Sequence, residues 1–354
     1  MTDPYRQLAD KLDALPNGFP STSSGAELRL LAKLFTPEEA GLAAQLTASL
    51  RTPAQIIPTC GPDTDLKTIT QTLKGMARKG LIDAGRTDDG LGFKLLPFVV
   101  GIYEMQNGHI DAELALLFED YFQQAFAGVL SIQPALHRVI PVTESVQIDM
   151  EVRPYESAAE LIEQAKAWGV TDCICRTQKS LIGQACEHPI DVCMSFGPNE
   201  GMFDNHPLVH ALTREQAYAT IQRAARAGLV HTVSNSQEGV WYMCNCCTCG
   251  CGILRGMAEM GLANAVARSS FVNQVDPDRC ILCEACLPYC QFQALELMDG
   301  GMNVNELRCI GCGVCVSACP EGALGLVRRP ESELLPVPID HAEWAALRSK
   351  ARGI

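Results

Sequence analysis

No stretch of the 354 residues approaches the roughly 18–20 consecutive apolar residues that a membrane span needs. The opening Met1-Thr2-Asp3-Pro4-Tyr5-Arg6 has no basic segment followed by an apolar one, so a secretory leader is not expected there and a cytoplasmic setting is. No G-x-G-x-x-G follows a strand pattern, and no P-loop, HExxH or GxSxG is present, which argues against a nicotinamide, flavin or ATP site of the chain's own. Positive charge is also scarce: 28 Lys and Arg stand against 41 Asp and Glu, a net charge of −13. That balance argues against a nucleic-acid binder held by a general basic field and suits partners that present a basic surface. Apolar residues make up 47% and charged residues 19%, enough for real cores in two or three domains of a soluble globular protein.

Cysteine, by contrast, is abundant, at 18 residues. Without a leader, metal binding is the stronger explanation and disulfides the weaker. Cys60 stands alone and reads as a small core residue; four cysteines fall at 173–193, five at 244–251 and eight at 280–319.

The last group is a tandem repeat. Cys280-x2-Cys283-x2-Cys286-x3-Cys290 recurs as Cys309-x2-Cys312-x2-Cys315-x3-Cys319-Pro320, each cysteine displaced by 29 residues. Three thiolates two residues apart reach three iron corners of a [4Fe–4S] cube, and the fourth cysteine points the other way, to the second cube. The expected ligand sets are therefore Cys280, Cys283, Cys286 and Cys319 for cluster I, and Cys309, Cys312, Cys315 and Cys290 for cluster II. Zinc sites use four ligands, usually as two separated pairs, and match this pattern poorly. The segment resembles a bacterial two-cluster ferredoxin, departing from it at Gln291, where that family usually has Pro. Backbone N–H groups near Gly311 and Gly313, with Ile281, Leu282, Ile310 and Val314 excluding water, are expected to offset the cluster charge and set the potentials.

The central cysteines leave more than one reading open. Cys173, Cys175, Cys186 and Cys193 give C-x-C-x10-C-x6-C, enough for a further [4Fe–4S] cluster or a structural zinc, with His188 an alternative ligand and Arg176 and Lys179 balancing charge. Cys244, Cys246, Cys247, Cys249 and Cys251 lie within eight residues and cannot all ligate one cube from a regular strand or helix. A loop could supply three or four of them, leaving the rest to the 173–193 site, to free thiols or to a redox centre. A helix is expected at 253–257, its start facing this knot. One or two further [4Fe–4S] clusters, or one zinc, are thus expected in the centre.

The expected fold class is α+β. Residues 1–150 read as helices and a hairpin: apolar spacing at 26–35, the start Thr36-Pro37-Glu38-Glu39, a short helix opened by Thr52-Pro53 and closed near Gly61-Pro62, a helix from Asp65 to Lys79, and strands either side of Thr87-Asp88-Asp89-Gly90. Helices followed by a hairpin resemble a winged helix; the few basic residues on 65–79 and the acidic turn favour protein docking over DNA, with a longer helix at 111–128 packed on it. Residues 151–270 read as a mixed α/β Cys-rich domain, with a helix from Ser157 to Trp168, a Thr213-capped helix to Gly228, strands at 229–233 and 240–243, and cysteines in loops at the element ends. Residues 271–330 form the ferredoxin-like domain, and 331–354 a linker and tail helix expected to dock back on the body.

From residue 170 onward the chain is similar to a group of multi-cluster ferredoxin-type proteins of anaerobic and facultative prokaryotes. Cys173-Ile174-Cys175-Arg176, Val192-Cys193-Met194-Ser195-Phe196-Gly197, Gly228-Leu229-Val230-His231 and Cys244-Asn245-Cys246-Cys247 carry the resemblance, with 96–104 in the first half; Gly250 stands where relatives tend to place another cysteine. The resemblance implies single-electron transfer to or from a flavoprotein or larger oxidoreductase, with homo- or hetero-oligomers open. Two other readings compete: a redox-sensing winged-helix transcription regulator, and an oxidoreductase subunit with thiol chemistry at the 244–251 knot.

Overall fold

The computed structural model describes residues 3–60, 65–142, 145–146 and 151–354. The stop expected at Gly61-Pro62 and the residue-150 side of the first boundary lie outside them. The chain divides into two compact units, Met1–Val129 with Arg348–Ile354, and Leu130–Leu347.

The first unit holds α1 (Pro4–Asp13), α2 (Ala26–Leu34), α3 (Pro37–Ala43), α4 (Pro53–Ile56), α5 (Leu66–Arg78), the hairpin β1 (Ile82–Thr87) and β2 (Gly90–Leu95), and the body of α6 (Ala112–Leu130). Local chemistry sets the boundaries. Thr36 and Glu39 form a reciprocal capping box at α3, and the Asp65 carboxylate accepts from Thr68 N at 3.0 Å. Thr87 pairs with Gly90 across the hairpin turn, with Gly90 at positive φ. Leu8, Leu12, Leu30, Leu31, Leu73 and Met76 are buried together with an aromatic group in which the Tyr103 and Phe118 rings stack at 3.8 Å. Cys60 is not in this core: it is half-exposed after the turn 57–59, its thiol 3.8 Å from the Ile56 carbonyl.

The second unit is built on a six-stranded antiparallel sheet. Its elements are β3 (His137–Ile140), α7 (Ala158–Gln164), β4 (Ala167–Thr171), α8 (Ile174–Leu181), β5 (Cys193–Gly197), β6 (His210–Leu212), α9 (Arg214–Arg226), β7 (Val230–Ser234), β8 (Tyr242–Cys246) and α10 (Gly252–Ala258), with sheet order β3-β7-β8-β5-β4-β6. One face is apolar: Ile140, Met194, Phe196, Val233 and Met243 pack with Leu161, Ile162, Ala217 and Ile221 of α7 and α9. The module that follows contributes β9 (Phe271–Val275), β10 (Leu295–Met298), β11 (Gly301–Val304) and β12 (Leu324–Arg328), in the antiparallel pairs β9–β12 and β10–β11. In α11 (His341–Arg352), Trp344 Nε1 donates to the Ala135 carbonyl within this unit. Arg348 and Arg352 belong to the first unit, where Arg348 donates to the Pro16 and Val129 carbonyls at 2.9 and 2.6 Å.

Two further features depart from sequence expectation. The helix expected from Ser157 to Trp168 ends at Gln164, and Trp168 lies in β4, paired with Phe196 on one side and Leu212 on the other. Sheet pairing on both edges outweighs helical spacing there, and Trp168 Nε1 donates back to the Ile162 carbonyl at 2.9 Å. Secondly, Cys193, Cys244 and Cys246 lie on strands and Cys175 on a helix, rather than in loops.

Candidate metal centres

The cysteines of the repeat at 280–319 line two cavities. One is lined by Cys280, Cys283, Cys286 and Cys319; the other by Cys290, Cys309, Cys312 and Cys315. In each, three cysteines come from one half of the repeat and the fourth from the other.

The backbone of both halves is shaped alike. Positive φ occurs at Leu282, Glu284 and Gln293, and again at Gly311, Gly313 and Gly322, the positions 29 residues on. Alternating handedness of this kind turns successive N–H groups into one concavity, which suits an anionic guest. The two halves reach it with different residues for a packing reason. A Cβ at Gly311 would sit 2.1 Å from the Phe271 carbonyl oxygen, and one at Gly313 2.0 Å from Ser145 Oγ. In the first half Leu282 is 47% exposed, and side chains have room.

Specific donors face the sulfurs. Ala294 N and Ala323 N, again 29 residues apart, donate to Cys290 Sγ at 3.1 Å and Cys319 Sγ at 3.2 Å. The buried Asn273 Nδ2 donates to Cys315 Sγ at 3.0 Å. Burial pushes the Cys315 thiol up and that of Cys312 up to about 12. These donors, the cysteine count and the concave backbone fit a thiolate-bound iron–sulfur cube, whose charge would offset that burial.

The central cysteines sort into two groups that cut across the two sequence segments. Cys173, Cys175, Cys251, Cys246, Cys244 and Cys193 form a closed circuit in which each thiol perturbs the titration of the next and the last that of the first. Strand geometry explains half of it. Met194 pairs with Met243 across β5 and β8, with both side chains in the apolar core. Continuing that register sets Cys193 opposite Cys244, and the two-residue strand period puts Cys193, Cys244 and Cys246 on the other face. Cys173 and Cys251 occupy the cap positions of α8 and α10. The neighbouring thiols of the circuit, then burial, push the thiols of Cys175, Cys193, Cys244 and Cys246 up.

The second group is Cys186, His188, Cys247 and Cys249, whose ligand atoms all lie within 4.8 Å of one another; among the described residues no other group of three or more is so close. Hydrogen bonding from Cys249 is the largest effect holding the Cys247 thiol down to about 4, with His188 and Arg176 adding to it. Arg176 is buried beside this group and electrostatically coupled to the six-thiol circuit. Its Nη1 donates to the Asn245 carbonyl at 2.9 Å and to Cys247 Sγ at 3.8 Å. Burial pulls its guanidinium down, and the charges at Cys173, Cys193 and Cys247 more than offset that.

Gln291 is the residue whose role the sequence did not reveal. Its Oε1 accepts from Thr248 N at 2.7 Å and its Nε2 donates to the Gly228 carbonyl at 2.5 Å. It therefore ties the turn after Cys290 to the chain between Cys247 and Cys249. Proline cannot make either bond, and its absence at 291 was the one signal available.

Comparison with known proteins agrees at the C-terminal module. Residues 279–323 match the family described as the 4Fe-4S dicluster domain. Among curated relatives, the delta subunit of an NADH-dependent phenylglyoxylate dehydrogenase from Aromatoleum evansii is 38% identical over 47 residues, 13% of this chain and 50% of that protein. The pyruvate synthase subunit PorD of Thermotoga maritima is 40% identical over 60 residues, 16% of this chain and 58% of that one. An uncharacterized ferredoxin of Methanocaldococcus jannaschii is 36% identical over 74 residues, 20% of this chain and 49% of that one. The chain spans about half the length of the curated relatives it matches. No solved structure matches. The chain is thus an α+β protein with a C-terminal dicluster domain for two [4Fe–4S] clusters, and no helix among its described residues is long and apolar enough to cross a membrane.

Proposed function

We propose that this protein passes single electrons between its dicluster domain and a partner oxidoreductase, with a basic surface on the partner meeting this acidic chain. The observation that carries the reading is the pair of four-cysteine cavities with repeat-related backbone and sulfur-directed N–H donors. The ligand sets we assign are Cys280, Cys283, Cys286 and Cys319, and Cys290, Cys309, Cys312 and Cys315. Each bound cluster supplies one-electron chemistry.

Exposure assigns the outer end of the relay. Cys283 is exposed, as are Ile281 and Leu282 beside it, whereas Cys309, Cys315, Ile310 and Val314 are buried. External exchange therefore belongs to the Cys280–Cys283 loop, with Glu284 and Glu321 lining the same cavity and supplying negative charge for docking. In the centre, the six-thiol circuit is too open for a single metal ion and suits a further iron–sulfur cluster, with sulfurs to spare.

The first unit, winged-helix-like in its helix order and hairpin, serves docking of protein rather than DNA. Lys79 is paired with Glu39 at 2.7 Å and Lys94 with Asp83 at 3.2 Å, which lowers the unpaired positive charge that phosphate contacts would need. Eighteen free cysteines suit a reducing cytoplasm.

The test is anaerobic mixing of the dithionite-reduced full chain with a flavoprotein reductase that accepts electrons from dicluster ferredoxins. Flavin reduction that slows as salt rises is the expected result. No flavin reduction at low salt, from a chain shown to be reduced, would contradict the reading.

A further inference from the structure

We propose that Cys186, His188, Cys247 and Cys249 bind one zinc ion, a redox-silent site separate from every cluster site of this chain. A tetrahedral zinc with Zn–S near 2.3 Å and Zn–N near 2.0–2.1 Å sets S···S edges of about 3.8 Å and S···N edges of about 3.6 Å. Cys186 Sγ and Cys247 Sγ are 4.0 Å apart, and Cys249 Sγ and His188 Nδ1 are 3.6 Å apart. All four ligand atoms lie within 4.8 Å of one another. An iron–sulfur cube spreads its thiolates over separate iron corners and needs them farther apart. The six-thiol circuit and the two dicluster cavities have that wider spacing, since none of them brings three ligand atoms within 4.8 Å among the described residues.

Charge supports the same assignment. Zinc with three thiolates and a neutral imidazole carries one net negative charge. The guanidinium of Arg176, buried against the site, supplies one positive charge, with Nη1 3.8 Å from Cys247 Sγ. Its Nε and Nη2 have no hydrogen-bond partner among the described residues, so two further buried donors stand ready for an anionic neighbour.

The connectivity gives the ion its task. Cys186 and His188 lie in the loop between α8 and β5, and Cys247 and Cys249 in the turn between β8 and α10. Both loops also feed the six-thiol circuit, through Cys175 and Cys193 on one side and Cys246 and Cys251 on the other. Zinc would clamp the two loops together while leaving all six circuit cysteines for iron. Ligands adjacent in sequence thus go to different metals, as with Cys246 and Cys247.

The experiment uses the full chain, produced in medium containing both iron and zinc and purified anaerobically. Metals are counted for wild type, His188→Ala and Cys249→Ser, and X-ray absorption is recorded at the zinc edge of wild type. The proposal expects about one zinc per wild-type chain in a shell of three sulfurs and one nitrogen. In the variants zinc falls several-fold or more while iron per chain is unchanged. Absence of stoichiometric zinc, a shell of four sulfurs, or loss of iron with zinc retained would overturn it. Should the variants fold poorly, the wild-type zinc shell alone decides, since among the described residues only this group brings three sulfurs and one imidazole so close.

Discussion

At the residue scale, the dicluster domain shows how one backbone shape is reached by two sequences. Leu282 and Glu284 hold the left-handed conformation that Gly311 and Gly313 adopt without strain, at a cost of about 1 kcal/mol or more each. Leu282→Gly is therefore expected to raise the stability of the loaded protein by about 0.5–1 kcal/mol, read from thermal unfolding. Gly313→Ala is expected to do the opposite, because the added methyl meets Ser145 Oγ; about four iron atoms per chain should be lost while the cavity of Cys280, Cys283, Cys286 and Cys319 stays loaded. Asn273 is a tuning residue rather than a ligand. Removing its hydrogen bond to Cys315 Sγ with Asn273→Leu should lower one reduction potential, on the order of tens of millivolts, and leave the other unchanged in a redox titration. His137 carries a pH signature. It is buried, its Nε2 has no hydrogen-bond partner among the described residues, and burial lowers its pKa to about 4. The unfolded chain takes up a proton at about pH 6.5, so this residue's contribution is present above that value and is lost as pH falls toward 4. Between pH 7 and pH 5 that loss is on the order of 2 kcal/mol. His137→Leu should flatten the fall in melting temperature over that range, and parallel curves for the two proteins would refute the assignment.

At the scale of elements, the sheet decides which cysteines meet. The strand period places Cys193, Cys244 and Cys246 together opposite the apolar core, and the starts of α8 and α10 bring Cys173 and Cys251 to them. Sequence spacing alone leaves open which of the 244–251 cysteines join the 173–193 site, because β5 and β8 are some fifty residues apart and their pairing is not written in either. The dicluster repeat was legible for the converse reason: its four-cysteine runs carry their own geometry. Most helix starts in the first unit were legible as well, since Thr36 and Asp65 cap by local bonds. Trp168 was misread because pairing partners on both sides, not local propensity, hold it in a strand. Gln291 links elements directly. Gln291→Ala removes the acceptor for Thr248 N and the donor for the Gly228 carbonyl, worth about 1 kcal/mol each. Faster amide exchange at Thr248, by about tenfold or more, with iron content unchanged, is the expected outcome. Unaltered exchange would show that the side chain does not hold that turn.

At the scale of the whole molecule, burial and charge would give the proposed relay a direction of access. The 309–315 loop is packed into the second unit, and the 280–284 loop faces outward. Net charge of −13 favours basic partners and makes association salt-dependent. Glu284→Lys with Glu321→Lys should slow electron exchange with a basic acceptor several-fold at low salt and converge with wild type at high salt. The account rests most heavily on two reducible clusters that give up their electrons to a protein. Low-temperature paramagnetic resonance of the anaerobic, dithionite-reduced full chain, before and after one equivalent of flavoprotein acceptor per electron, tests that directly. Magnetically coupled signals of at least about two spins per chain, discharged by the acceptor, are the expected result. No reducible signal, or a signal that persists with the acceptor present, would contradict it.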